Sequence, residues 1–150
     1  MLVDAEDIAL LTDFPLLGRW TQEPHAKFAP DELAAIRPIR PERTATIWLR
    51  RARVPVVPTS AEARVVVADG GDPQVIGKWL EDRLPRGERD LLLLWDQKTA
   101  ALVPRRLFVD RWNAFWCPSS DDLTVVGTVA VWRLEMSRHG TFEFFERGAG

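Results

Sequence analysis

The chain holds one cysteine, Cys117, and two histidines, His25 and His139. Covalent catalysis needs a nucleophile within reach of a positioned base. The pairing on offer is therefore Cys117 with His139, the constellation of a small hydrolase or transferase. Nothing in the spacing brings the two together. Adjacent carboxylates stand at Glu81-Asp82 and Asp121-Asp122, but neighbouring acids on a helix or loop are ordinarily solvated rather than poised for proton transfer. There is no His-x-x-x-His pair, no cysteine pair and no alternating acidic loop, so no metal is expected. Asp69-Gly-Gly-Asp72 reads as a turn and a helix cap, not a phosphate cradle, and no cofactor is expected either. The inventory points away from an enzyme.

The stretch that asks for another explanation is Arg111-Trp-Asn-Ala-Phe-Trp-Cys-Pro-Ser-Ser-Asp-Asp122. Serine and aspartate side chains bond nearby amides in turns, and Pro118 halts a helix. Four consecutive polar residues exceed what a turn requires. Aspartates beside an aromatic edge suit the mouth of a contact surface for a basic partner. Trp116, Ser119, Ser120, Asp121 and Asp122 are accordingly the candidate partner-binding residues, with Trp116 as anchor and the aspartates supplying charge complementarity. Trp112 and Phe115, at helical spacing, read as core.

Charge narrows the partner class. A net charge of −2 argues against general nucleic-acid affinity, which needs several phosphate contacts. Residues 1–32 carry seven acids against Arg19 and Lys27, whereas residues 37–53 carry six arginines against Glu42. Two readings stand: the two segments satisfy each other, or Arg37–Arg53 is a basic patch for an acidic partner. Trp48 among those arginines is the one hint of single-strand binding. Seven tryptophans and no tyrosine put most of the large aromatic area in the core. An exposed remainder would permit a homodimer.

The elements that must position these residues are marked by proline. Helices are expected over Pro30–Ile36, from Pro41 to about Arg53, from the Asp72 cap to Leu84, and from Pro104 through Phe115. Arg64–Ala68 reads as a short strand. Leu91–Trp95 reads as a strand buried on both faces, with Ala100–Val103 returning as its hairpin partner. Val129–Met136 alternates, Ser137–Gly140 turns, and Thr141–Glu146 returns; Leu123–Val126 adds a strand before them. The sum is an α+β fold: an antiparallel sheet with a C-terminal β-hairpin and three to four helices packed on one face, in a single domain spanning 1–150. No leader or membrane-length apolar run is legible, and a lone cysteine fits a reducing, cytoplasmic setting.

Residues from Leu91 onward resemble small uncharacterised bacterial proteins of unknown function. Their pattern is a strand ending in Trp-Asp, a helix with Trp-x-x-Phe, an aromatic-x-Pro-Ser-Ser-Asp-Asp loop and a Trp-containing hairpin ending in Phe. The matching pieces are Trp95-Asp96, Trp112 with Phe115, Trp116 with Pro118–Asp122, and Trp132 with Phe142 and Phe144. The chain departs at the hairpin turn, where Arg138-His139-Gly140 stands in place of an acidic pair. The resemblance implies a protein without assigned activity and, by size and style, an immunity protein that neutralises a bacterial toxin by surface complementarity.

Overall fold

The computed structural model describes residues 3–22, 28–50, 56–58, 64–66, 72–128 and 131–147. After two short 3₁₀ turns, Ala5–Asp7 and Leu11–Asp13, come the helices α1 (Gly18–Thr21), α2 (Pro30–Ala35), α3 (Pro41–Arg50), α4 (Pro73–Arg83), α5 (Arg105–Asp110) and α6 (Trp112–Phe115). The strands are β1 (Arg37–Pro38), β2 (Val56–Pro58), β3 (Arg64–Val66), β4 (Asp90–Leu94), β5 (Ala100–Pro104), β6 (Leu123–Gly127), β7 (Trp132–Met136) and β8 (Thr141–Arg147). They form one antiparallel sheet in the order β1-β5-β4-β6-β7-β8-β2, with β3 also on β8. The α+β class and the C-terminal hairpin stand as the sequence implied.

β2 and β3 share one edge of β8. Pro58 pairs with Phe145 and Arg64 with Glu143, so a two-residue step along β8 is matched by a six-residue step in the chain.

The run Leu91–Leu94 is fully buried because both faces of the sheet are covered here. Leu91 and Leu93 join Ala101, Val103, Leu123, Val125, Leu134, Met136 and Phe142 in the larger core, under Trp20 of α1, Ile76 and Leu80 of α4, Phe108 of α5 and Phe115 of α6. Leu92 and Leu94 face the other way, toward Ala100, Leu102 and Val126, where Ile47 of α3 closes a second, smaller core. The helices are thus not all on one face: α3 lies opposite the others. Its apolar positions could satisfy either side, and the alternation within the leucine run decides it. The N-terminal segment serves both cores, with Val3 and Ile8 on the α3 side and Phe14 and Trp20 on the other. Asp7 ties it to α3 by an ion pair with Arg43 at 3.5 Å and by accepting the Arg40 N–H on its carbonyl at 2.8 Å.

Five of the seven tryptophans are buried, and each has its indole donor satisfied. Two of these bonds finish the aromatic helix. Trp20 donates to the Ala114 carbonyl and Trp95 to the Phe115 carbonyl, both at 2.9 Å. Carbonyls left open at the end of α6 are thereby closed by indoles. The single helix expected from Pro104 is broken at Arg111 (φ −127°, ψ 29°). There the guanidinium leaves to pair with Glu32 and to lie over the Phe28 ring at 5.2 Å.

Candidate functional site

The chain exits α6 at Trp116, whose backbone is extended (φ −128°, ψ 127°). Its ring does not point outward. It lies against Trp112 and edge-on to Phe142, with centroids 6.4 and 4.8 Å away, and is 3% exposed. Its indole N–H donates to the Asp121 carbonyl at 3.1 Å. The anchor role expected of Trp116 is therefore corrected: ring stacking and a buried donor hold the indole inside the protein.

Asp121 is corrected in the same way. It is 8% exposed, and both carboxylate oxygens accept from the Arg19 guanidinium, one of them at 2.9 Å from Nη2. The second oxygen also accepts the Cys117 N–H at 2.9 Å, while the Asp121 N–H donates to the Cys117 carbonyl at 3.0 Å. The segment is closed on itself at both ends. Hydrogen bonding to the Asp121 carboxylate favours the charged guanidinium and pushes Arg19 above its ordinary range despite its burial.

That closure leaves Pro118, Ser119, Ser120 and Asp122 exposed. Ser119 adopts φ 71°, the one non-glycine residue in the left-handed region among those described. Its N–H donates to the Arg138 carbonyl at 2.9 Å, joining the loop to the β7–β8 turn. That turn reverses at Gly140 (φ 90°), where a side chain would be strained. Asp122 stitches the two segments together. It accepts the Arg138 N–H at 2.8 Å on one oxygen, and Nε and Nη2 of Arg138 at 3.1 and 2.9 Å on the other. Bonding to the guanidinium, and then to the amide, holds the Asp122 carboxyl below its ordinary range. The result is a tip built from 117–122 and 137–140, with Ser119, Ser120, Asp122, Arg138 and His139 outward.

Ser119, Ser120 and Asp122 are exposed on the loop, whereas Arg19 and Arg138, which bond to its two aspartates, were not among the expected site residues. A signal existed for each. Arg19 is one of two basic residues in an acidic N-terminal stretch, and Arg138 stands where the resembled pattern has acids.

The Cys117 thiol is pushed up, first by burial and then by the Asp121 carboxylate, with Arg19 opposing; an activated nucleophile needs the reverse. Glu81 pairs with Arg105 and Arg106, and Asp82 with Lys78. Arg37 pairs with Asp90 at 2.9 Å and Arg43 with Asp7, so two of the clustered arginines are engaged internally. His25, Arg51 and Arg53 lie outside the described residues. No group of three or more metal-ligating side chains occurs among the described residues, and no described helix is long and apolar enough to cross a membrane. A groove of about 420 Å³ between α4 and α5–α6 is lined by Lys78, Glu81, Arg106 and Asp110, whose charges pair with one another or with Asp82. No family model, curated protein or solved structure matches the chain.

Proposed function

We propose that the chain is a protein-binding domain whose contact surface is the tip formed by residues 117–122 and 137–140. One observation carries this reading. The loop presents Ser119, Ser120 and Asp122 to solvent over a closed base, and Ser119 (φ 71°) fills the third position of a Cys117–Ser120 turn, a place that glycine or asparagine usually takes. Strained backbone persists where surrounding structure over-determines it, and it concentrates at recognition and catalytic sites. Here the groups presented are hydroxyls, an ion pair and an imidazole, which suit recognition rather than nucleophilic chemistry. A preorganised loop binds with less ordering cost than a mobile one.

In its most concrete form the domain is an immunity protein that covers a toxin surface. This version draws on the resemblance of the segment from Leu91 onward. The geometry modifies the partner's chemistry. Asp121 is neutralised by Arg19, and Asp122 is shared with Arg138. The tip therefore offers hydrogen bonding and one exposed ion pair rather than a block of negative charge for a basic domain.

The experiment is a paired affinity capture from lysate of the source cell. One bait is the native chain; the other carries Ser119→Arg and Ser120→Arg. A stoichiometric polypeptide held by the first and lost by the second supports the reading. A polypeptide held equally by both, or by neither, counts against it.

A further inference from the structure

We propose that Arg19 is the positioning residue of the contact tip, so that α1, which the tip does not contain, sets the tip's shape; this rests on the reading of the tip as the binding surface. Arg19 lies 102 positions before Asp121. Its backbone is fixed by its neighbour. Trp20 is fully buried, stacked between Phe14 and Phe28 with centroids at 5.6 and 5.8 Å, and bonded to the carbonyl of Ala114. Ala114 belongs to α6, the helix from whose end the loop departs. The guanidinium root and the loop root are thus anchored to one aromatic stack.

From that fixed base the guanidinium fork engages both oxygens of Asp121. Asp121 passes the constraint on through two further bonds: its carboxylate accepts the Cys117 N–H, and its carbonyl accepts the Trp116 indole. The end of the loop is drawn against its beginning. The intervening residues must reverse within a short span, and Ser119 takes the left-handed turn, where its N–H meets the Arg138 carbonyl. A planar two-pronged donor is what holds a carboxylate in one orientation; a lysine supplies the charge without the fork. The Arg19 guanidinium bonds to Asp121, which is itself buried, so its route to the presented groups runs through Asp121.

The test is amide hydrogen exchange and Cys117 alkylation by iodoacetamide, measured on the native chain, Arg19→Lys and Arg19→Met. With Arg19→Met, exchange at Ser119, Ser120 and Asp121 is expected to accelerate at least ten-fold while the β4 amides Leu92 and Leu93 keep their native rates. Cys117 should alkylate faster in the same variant. Arg19→Lys should fall between the two, a partial rescue by retained charge. Native loop exchange in Arg19→Met overturns the proposal. So does acceleration of loop and β4 amides together, which would make Arg19 a contributor to global stability only. Should Arg19→Met fail to fold, Arg19→Met with Asp121→Asn removes the unpaired buried charge, and the same two criteria apply. No partner is needed, so failure here removes the role of Arg19 and leaves the exposed Ser119, Ser120 and Asp122, on which the tip reading stands, as they are. Loss of that reading comes instead from a tip variant that binds normally.

Discussion

At the scale of single residues, two adjacent aspartates have opposite jobs. Asp121 is enclosed with Arg19, and breaking a buried, hydrogen-bonded pair leaves an uncompensated charge worth about 3 kcal/mol or more. Asp122 and Arg138 are about half exposed, and surface pairs contribute at most about 1 kcal/mol. Urea denaturation of Asp121→Ala and Asp122→Ala should separate them, with a large loss for the first and a small one for the second. Equal losses would mean the burial of Asp121 is not what matters. Acid should weaken the fold through groups whose folded pKa is depressed. Asp122 is lowered by Arg138, and Glu32 by the Ala29 amide and then Arg111. Burial raises Glu81, but Arg105 and Arg106 together outweigh it. Each such carboxylate contributes stability that is complete above its ordinary range, and that stability is lost as pH falls through the lowered folded value. The urea midpoint should therefore hold from pH 7 to about 5 and decline below about 4.5. A midpoint unchanged at pH 3 would contradict these pairings. The Cys117 thiol, held up by burial, should alkylate more slowly at neutral pH in the folded chain than in the urea-unfolded one; a faster folded rate would restore a reactive-thiol reading.

At the scale of elements, legibility in the sequence followed periodicity. The α4 stripe Ile76 and Leu80, the β7 alternation Trp132, Leu134 and Met136, and the unbroken β4 run were all readable because each repeats its own period. Three things were not. The 3₁₀ turns of residues 5–13 have no period to detect. β1 is two residues whose strand character exists only through pairing with Leu102 and Ala101. The break between α5 and α6 falls at Arg111, whose partner Glu32 stands 79 positions earlier in the chain and leaves no local signal. For the tip, the polar loop was visible but its support was not, because Arg19 meets Asp121 only after the sheet and the aromatic stack have formed. The placement of α3 was likewise hidden, since an amphipathic helix does not say which face of a sheet it covers. Its role is testable. Ile47 is 1% exposed, so Ile47→Ala should cost about 2–5 kcal/mol. Leu49, on the same helix and 69% exposed, should lose no more than about 0.5 kcal/mol. Similar losses at both positions would place α3 wrongly.

At the scale of the whole molecule, a sheet filled on both sides of β4 supports one well-secured corner. The larger core gathers α6, β6 and the β7–β8 hairpin beneath the tip, and the N-terminal segment crosses from the α3 side to deliver Arg19 to it. Distant parts of the chain thus converge on a few exposed groups, while Arg37, Arg43 and Glu81 elsewhere are spent on internal pairs. The account stands on that convergence being a contact surface. Its most direct test is amide hydrogen exchange of the native chain with and without the polypeptide that it captures. The expected result is slowed exchange confined to residues 118–122 and 137–140. Protection on α3 or along the α4–α5 groove, with the tip amides unchanged, would contradict it.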